Sequence, residues 1–347
     1  MRPRDSAIVA AVLLIGGFAA ADALRGTDEA TTERTAATGP RTGREEPDAV
    51  QTETVVGVGS AGLAGRLVFT DGRCELRELD LGDGTLLRHG SLRSSCGLIA
   101  PRRGEHVAVT LPSRRRDTVP YRLVHLADPD AGPATVLARL RSVVWSLDGS
   151  RVAWCAPSGQ VGGELDLSRR VEAVLARCPV AFTPDGEPAY AEGRALVAGG
   201  QALVRAPGPI TAVSFAPDGT LAVATRKELR LYRGSPGAAT GSYGVAEERR
   251  AIPEELRGLP VVFSPTHCHA AFLSSVFPPT PTVFVRDLGR CPGSRAPLTF
   301  AGRAAAWSPD GSRLAVAERA RVVVQAVYPE APAVVLRVVA TNLAWLG

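Results

Sequence analysis

Short apolar runs separated by turn-forming Gly, Pro, Asp and Ser recur along most of this chain. The clearest unit is "RAAAWSPDGSRLAVAERARVVV" (Arg303–Val324). An apolar strand ends in an aromatic, and a Ser-Pro-Asp-Gly turn follows. Pro suits the second turn position because its φ is preset, Asp can bond its own backbone, and Gly accepts the left-handed conformation. Relatives are "VVWSLDGSRVAWC" (Val143–Cys155), "VAFTPDGEPAYAEG" (Val180–Gly193), "VSFAPDGTLAVATR" (Val213–Arg226) and "VVFSPTHCHAAFLSS" (Val261–Ser275), with a weaker copy in "GLIAPRRGEHVAVTL" (Gly97–Leu111). The anchoring residues Ile99, Trp145, Phe182, Phe215, Phe263 and Trp307 are spaced by roughly 33–48 residues, a period expected of a propeller or solenoid. A third run ("ELRLYRG", Glu228–Gly234) and a fourth ("APLTFAG", Ala296–Gly302) complete units of four strands, the size of a propeller blade. The first two strands of a unit are apolar on both faces, as strands packed between neighbouring blades must be.

The two ends of the chain complement one another. "GRLVFTDGRCELRELDLGDGTLLRHG" (Gly65–Gly90) reads as strands two to four of a blade that lacks its first, and "ATNLAWLG" (Ala340–Gly347) reads as a first strand without a blade. Joined, they close the ring and leave no open sheet edge. The fold predicted is therefore an all-β propeller over residues 55–347. Seven four-stranded blades are preferred, with six as the alternative if the Ile99 or Phe182 unit is misread, and the C-terminal strand pairs with the N-terminal blade.

Before that domain, "MRPRDSAIVAAVLLIGGFAAADAL" (residues 1–24) sets two arginines ahead of an almost uncharged run. It fits either a membrane anchor or a secretory signal, and both readings carry the rest of the chain out of the cytoplasm. An uncleaved single-pass anchor is the preferred reading, and a secreted form after cleavage is the alternative. Residues 25–54 are polar, of mixed charge and without apolar periodicity, as in a flexible tether.

The quoted repeats resemble the WD40-like, or PD40, repeats of TolB-type β-propellers. The likeness rests on "WSPDGSRLAVA" (Trp307–Ala317), "FAPDGTLAVA" (Phe215–Ala224) and "LVFTDGRCELRELDL" (Leu67–Leu81), and it spans roughly Gly65 to Gly347. It implies a fold and carries little about function. The Gly-His and Trp-Asp dipeptides of eukaryotic WD40 regulators are missing, and no α/β domain stands ahead of the repeats, so a TolB role does not follow.

Six cysteines then become informative. In order they pair as Cys74–Cys96, Cys155–Cys178 and Cys268–Cys291. Six cysteines allow 15 connectivities, but each in-order pair stays within one blade's register and on one face of the ring. An exported chain favours such disulfides.

Composition narrows the chemistry further. Gly (36) and Pro (27) form about 18% of the chain against roughly 12% on average, in keeping with many turns. The net charge of +5 is mild and comes without a basic helix or aromatic-basic stripe, so no nucleic-acid partner is expected. His267 and His269 flank Cys268 and, at i and i+2 near a strand start, are expected to share a face. The plain reading is a turn that replaces Asp-Gly and carries a disulfide; as metal ligands the two are weak candidates, since further ligands would have to converge from elsewhere. The repeated Asp148, Asp185, Asp218 and Asp310 occupy turns, which makes them structural. No G-x-S-x-G elbow is present, and the inner strands "AAAW", "VVW", "VAF" and "VSF" offer little acid–base material.

The expectation is a monomeric, non-catalytic extracytoplasmic scaffold that needs no cofactor. It would bind an unidentified protein or cell-envelope ligand through loops carrying Arg114, Arg115, Arg116, Tyr243 and Phe277. The alternatives are a propeller lyase or hydrolase with a site in the central channel, or a sensor or accessory subunit of a membrane complex.

Overall fold

The computed structural model describes residues 52–55, 58, 62–89, 96–111, 119–127, 136–234, 243, 246–274, 281–293, 296–328 and 332–347. Seven antiparallel sheets form among them. The first blade holds β1 (Thr52–Thr54), β2 (Arg66–Thr70), β3 (Leu76–Asp80) and β4 (Thr85–Arg88). The second holds β5 (Leu98–Ile99), β6 (His106–Thr110), β7 (Val119–His125) and β8 (Val136–Leu140). β9 (Ser142–Trp145), β10 (Arg151–Cys155), β11 (Gly162–Asp166) and β12 (Val171–Leu175) make the third. The fourth contains β13 (Pro179–Phe182), β14 (Pro188–Glu192), β15 (Ala195–Ala198) and β16 (Gln201–Arg205). The fifth contains β17 (Ile210–Phe215), β18 (Leu221–Thr225), β19 (Glu228–Tyr232) and β20 (Glu248–Ala251). β21 (Val261–Phe263), β22 (His269–Ser274), β23 (Thr282–Asp287) and β24 (Leu298–Ala301) form the sixth, and β25 (Ala304–Trp307), β26 (Arg313–Ala317), β27 (Val322–Ala326) and β28 (Val334–Leu336) the seventh. The last strand, β29 (Asn342–Leu346), belongs to the first blade. The ring has seven blades, and the Phe182 unit is a complete one.

β29 lies on the inner edge of β2, with Leu67 opposite Trp345 and Val68 opposite Ala344. The Trp345 indole donates to the Ala64 carbonyl at 2.9 Å. Closure is thus both a backbone ladder and a packed seam. Leu67, Phe69, Leu343 and Trp345 are buried with Ala306, Ala315, Val322 and Val324 of the seventh blade. On the other side, Val68, Leu76 and Leu346 pack on Leu98, Val107 and Val109 of the second. Arg66 reinforces that second seam with a two-pronged contact to Glu105, both N–H···O distances being 2.8 Å.

One boundary differs from expectation. Thr52–Thr54, assigned by composition to the tether, form β1 and pair with β4, Thr52 lying opposite Leu87 and Thr54 opposite Thr85. The outer edge of β4 would otherwise present unpaired backbone groups, and a segment with two β-branched residues is well suited to cover it.

The remaining seams are unequal. Apolar clusters fill the junctions of blades two and three, four and five, five and six, and six and seven. Among the described residues, none is centred on the junction of blades three and four. There Leu147 of the third blade packs against the cluster of blades four and five, Arg151 donates to the Gly186 carbonyl at 3.0 Å, and Arg177 pairs with Glu192. On the side of the third blade that faces the second, the Trp154 ring lies over Gly163, where an added Cβ would come within 2.4 Å of the indole. The outer strand β12 exposes Val171 and Val174, the latter to 87%.

No helix among the described residues is long and apolar enough to cross a membrane. The expected anchor (1–24), the tether up to residue 51, the arginines at 114–116 and Phe277 lie outside the described residues.

Candidate functional site

Two faces follow from the strand order. One carries the first-to-second and third-to-fourth turns; the other carries the second-to-third turns and the links between blades. The first-to-second turns are the innermost loops of their face, so they frame one mouth of the central channel.

Their local chemistry is repetitive. Ser146 donates to Asp148 and accepts the Arg151 amide at 2.9 Å, while the Ser150 amide donates to Asp148 at 3.1 Å. The same bonds recur with Ser308, Asp310, Ser312 and Arg313. Gly149 and Gly311 close these turns at φ 74° and 71°. Partial burial pushes the Asp148 and Asp310 carboxyls upward, but the hydroxyl and amide donors outweigh it and hold both below the ordinary carboxylate value. These carboxylates are occupied in building turns.

The sixth blade departs from the pattern. In "SPTHCH" the glycine position is taken by His267, at φ 55°, with its amide bonded to the Ser264 carbonyl at 2.9 Å. A non-glycine residue costs energy in this conformation, so it persists only where its surroundings hold it. Here the ring is fully buried, edge-on to Phe263, with Nε2 3.0 Å from the Ser214 hydroxyl of the fifth blade. Arg102, in the corresponding turn of the second blade, donates to the same hydroxyl at 3.0 Å and to the Phe215 carbonyl at 3.2 Å. Its side chain therefore joins blades two and five. Arg290 closes the outer side, donating to the Thr266 carbonyl and pairing with Asp218.

The electrostatics are those of a dehydrated clasp. Burial pulls the Arg102 guanidinium down to about 10. Burial first, then the Arg102 and Arg290 charges, pull the His267 imidazole down to about 3, so the ring is neutral across the physiological range. A Ser–His contact beside an arginine resembles the start of a nucleophilic site, but general-base work needs a pKa near the working pH and an orienting partner. His267 has neither: its Nδ1 finds no hydrogen-bond partner among the described residues.

A pH dependence follows. His267 binds a proton near pH 6.5 when unfolded and only near pH 3 when folded. The stability linked to its neutral form is complete above pH 6.5 and drains away as pH falls toward 3. His267→Asn keeps a residue that tolerates positive φ and removes the titration. Urea unfolding should show wild type losing about 2–3 kcal/mol more than this variant between pH 7.5 and 4.5. Parallel losses in the two proteins would rule the linkage out.

The histidine pair is not where alternation places it. His267 sits in the turn and faces the fifth blade. His269, the first residue of β22, stacks on Trp307 at 5.8 Å and meets Tyr328 edge-on, both in the seventh blade. The expected shared face is wrong because strand alternation begins only at His269. No group of three His, Cys, Asp or Glu residues suited to a metal ion occurs among the described residues.

Tyr243 is half-buried between the fourth and fifth blades. Its ring tilts against Phe215, its hydroxyl donates to the Gly219 carbonyl at 3.0 Å, and its amide donates to the Leu203 carbonyl. Burial, followed by the Asp185 and Asp218 charges, pushes its phenol up to about 12. Three disulfides join Cys74 to Cys96, Cys155 to Cys178 and Cys268 to Cys291, and they suggest an oxidising, extracytoplasmic setting. The first two pin turns to links on the link face, and the third pins two turns beside the clasp.

Sequence reasoning passed over Arg102 and Ser214. A signal existed for Arg102: "APRRG" places arginine where the other copies place aspartate.

A scan against protein-family models and a search of curated proteins return no match. Similarity appears among solved structures. A 6-phosphogluconolactonase candidate from Bacteroides uniformis aligns with a TM-score of 0.53 at 14% identity, over 80% of this chain and 97% of that one. Another from Bacteroides fragilis gives 0.52 at 12% identity, over 82% and 98%. TolB from Acinetobacter baumannii gives 0.43 at 14% identity, over 82% and 67%. At these identities the likeness shows a propeller fold and nothing about activity.

Proposed function

We propose that this chain is an extracytoplasmic propeller scaffold, held at the membrane by its N-terminal segment, that binds a protein or envelope ligand through its loops. The observation that carries this reading is the clasp. The mouth of the channel, where propeller enzymes commonly work, is taken up by a buried bridge of Arg102, Ser214 and a neutral His267 whose hydrogen bonds serve the ring itself. Loops pinned by disulfides on both faces support it further, because rigid rings with fixed loops suit recognition.

Crosslinking in intact cells, followed by recovery of the chain from membranes, tests the reading. One stoichiometric partner crosslinked to a loop is the expected result. Release of the chain into the soluble fraction without detergent would contradict the anchor.

A second reading starts from the 3.0 Å Ser214–His267 contact, which would need His267 released from its neutral, buried setting to act as a base, and takes its substrate class from the lactonase candidates among the structural neighbours. In that reading the chain hydrolyses a small ester or lactone. Turnover of model lactones that Ser214→Ala abolishes without lowering the melting temperature would establish it in place of the scaffold.

A further inference from the structure

On the link face, between blades five and six, lies a cavity of about 380 Å³. Its wall is apolar, from Ala212, Ile252, Leu256, Leu259 and Val261, and its charged residues are Arg226, Lys227 and Arg257. Lys227 is the one lysine of the chain. No acidic residue lines the cavity. All three cations are exposed, and none has a carboxylate within ion-pair distance among the described residues. The acids nearest in sequence are otherwise placed: Glu228 pairs with Arg230 and Glu255 with Arg286, while Glu254 sits on the same link outside the lining. Thr225 shapes the turn, its hydroxyl accepting the amides of Lys227 and Glu228.

Three like charges around an apolar floor repel one another, and no carboxylate among the described residues pairs with them. They gain most from an anion that also presents an apolar body to the wall. The chain's own course says which. β1 runs antiparallel to β4, so Thr52 lies beside Leu87 at the link end of the first blade. Thr52, the first described residue, therefore lies on the face that holds this cavity.

We infer that the cavity between blades five and six binds the phosphate group of an anionic phospholipid at the membrane surface, with Arg226, Lys227 and Arg257 on the phosphate and the Ile252–Leu256–Val261 wall against the glycerol and first methylenes. This deepens the scaffold reading by naming an envelope ligand and a face, and it rests on that reading for the source of the lipid.

The test uses the full chain in neutral detergent, titrated calorimetrically with dihexanoyl phosphatidylglycerol, dihexanoyl phosphatidylcholine and inorganic phosphate. The phosphatidylglycerol should bind, with the phosphatidylcholine and inorganic phosphate each weaker by at least about tenfold. The triple variant R226A/K227A/R257A should keep the wild-type melting temperature and lose at least about tenfold in affinity. Arg319→Ala, an exposed cation on the same face in the seventh blade, should keep it. Four results overturn the inference: no binding, equal binding of the two lipids, inorganic phosphate binding as tightly as the anionic lipid, or an Arg319→Ala loss equal to that of the triple variant. None of them depends on whether residues 1–24 anchor the chain, which membrane fractionation decides separately.

Discussion

A chain ending at Thr341 should show no cooperative unfolding transition. The deletion removes β29, and with it Leu343, Trp345 and Leu346, which are 7%, 5% and 0% exposed. Truncating one buried side chain of this size costs about 2–5 kcal/mol. Three together reach the whole stability of an ordinary domain, about 5–15 kcal/mol. The loss is also topological. β2 becomes an open edge with the Leu67–Thr70 backbone unpaired, and the seams to blades seven and two lose their inner wall together. The milder Trp345→Ala removes one ring and its bond to Ala64, and should cost about 3–5 kcal/mol in urea unfolding. A truncated chain that melts sharply near the wild-type temperature would show that the ring does not depend on its last strand.

The second large effect concerns Cys155–Cys178. By the chain-entropy relation, each disulfide here, closing a separation of 22 or 23 residues, contributes about 3 kcal/mol. The three should nonetheless differ. Cys74–Cys96 and Cys268–Cys291 belong to blades with full apolar seams on both sides. Cys155–Cys178 ties the end of β10 to the link after β12, at the junction without a seam cluster of its own and beside a strand with Val174 in solvent. Replacing Cys155 and Cys178 with Ala should lower the melting temperature by roughly 6–12 °C, the largest drop of the three pairs. Equal drops, or the largest at Cys74–Cys96, would mean that seam packing does not set the dependence on the crosslink.

The parts of this molecule that were legible in the sequence are those in which each repeat specifies itself. Trp307, Ser308, Asp310 and Gly311 write a strand end and a turn within five positions, so copies could be found and aligned without knowing where they lie in space. The closure between Trp345 and Leu67 was legible for the same reason, as a missing strand at one end and a spare one at the other. What depends on the diameter of the ring was not. Ser214 and Arg102 are 112 positions apart, and only a closed wheel brings the second blade's turn onto the fifth blade's inner strand. The turn at His267 was legible as a replacement for Asp-Gly, but not that His267 turns to the fifth blade while His269 turns to the seventh. Val171 and Val174 are apolar, yet they lie exposed on β12 at the rim of its blade, where periodicity does not report burial. The cationic cavity was hidden too, since Arg226, Lys227 and Arg257 come from a turn and a link that meet only through the packing of two blades.

The pairing of β2 with β29 is tested most directly by joining it. Val68 and Ala344 lie opposite each other in the ladder, at the separation a disulfide spans, and the six native cysteines are already paired. In a chain carrying Val68→Cys and Ala344→Cys, mild oxidation followed by trypsin should give the fragments Leu67–Arg73 and Val338–Gly347 as one disulfide-linked species that reduction separates. Recovery of the two fragments unlinked from a folded, oxidised protein would contradict a ring closed by its own C-terminal strand.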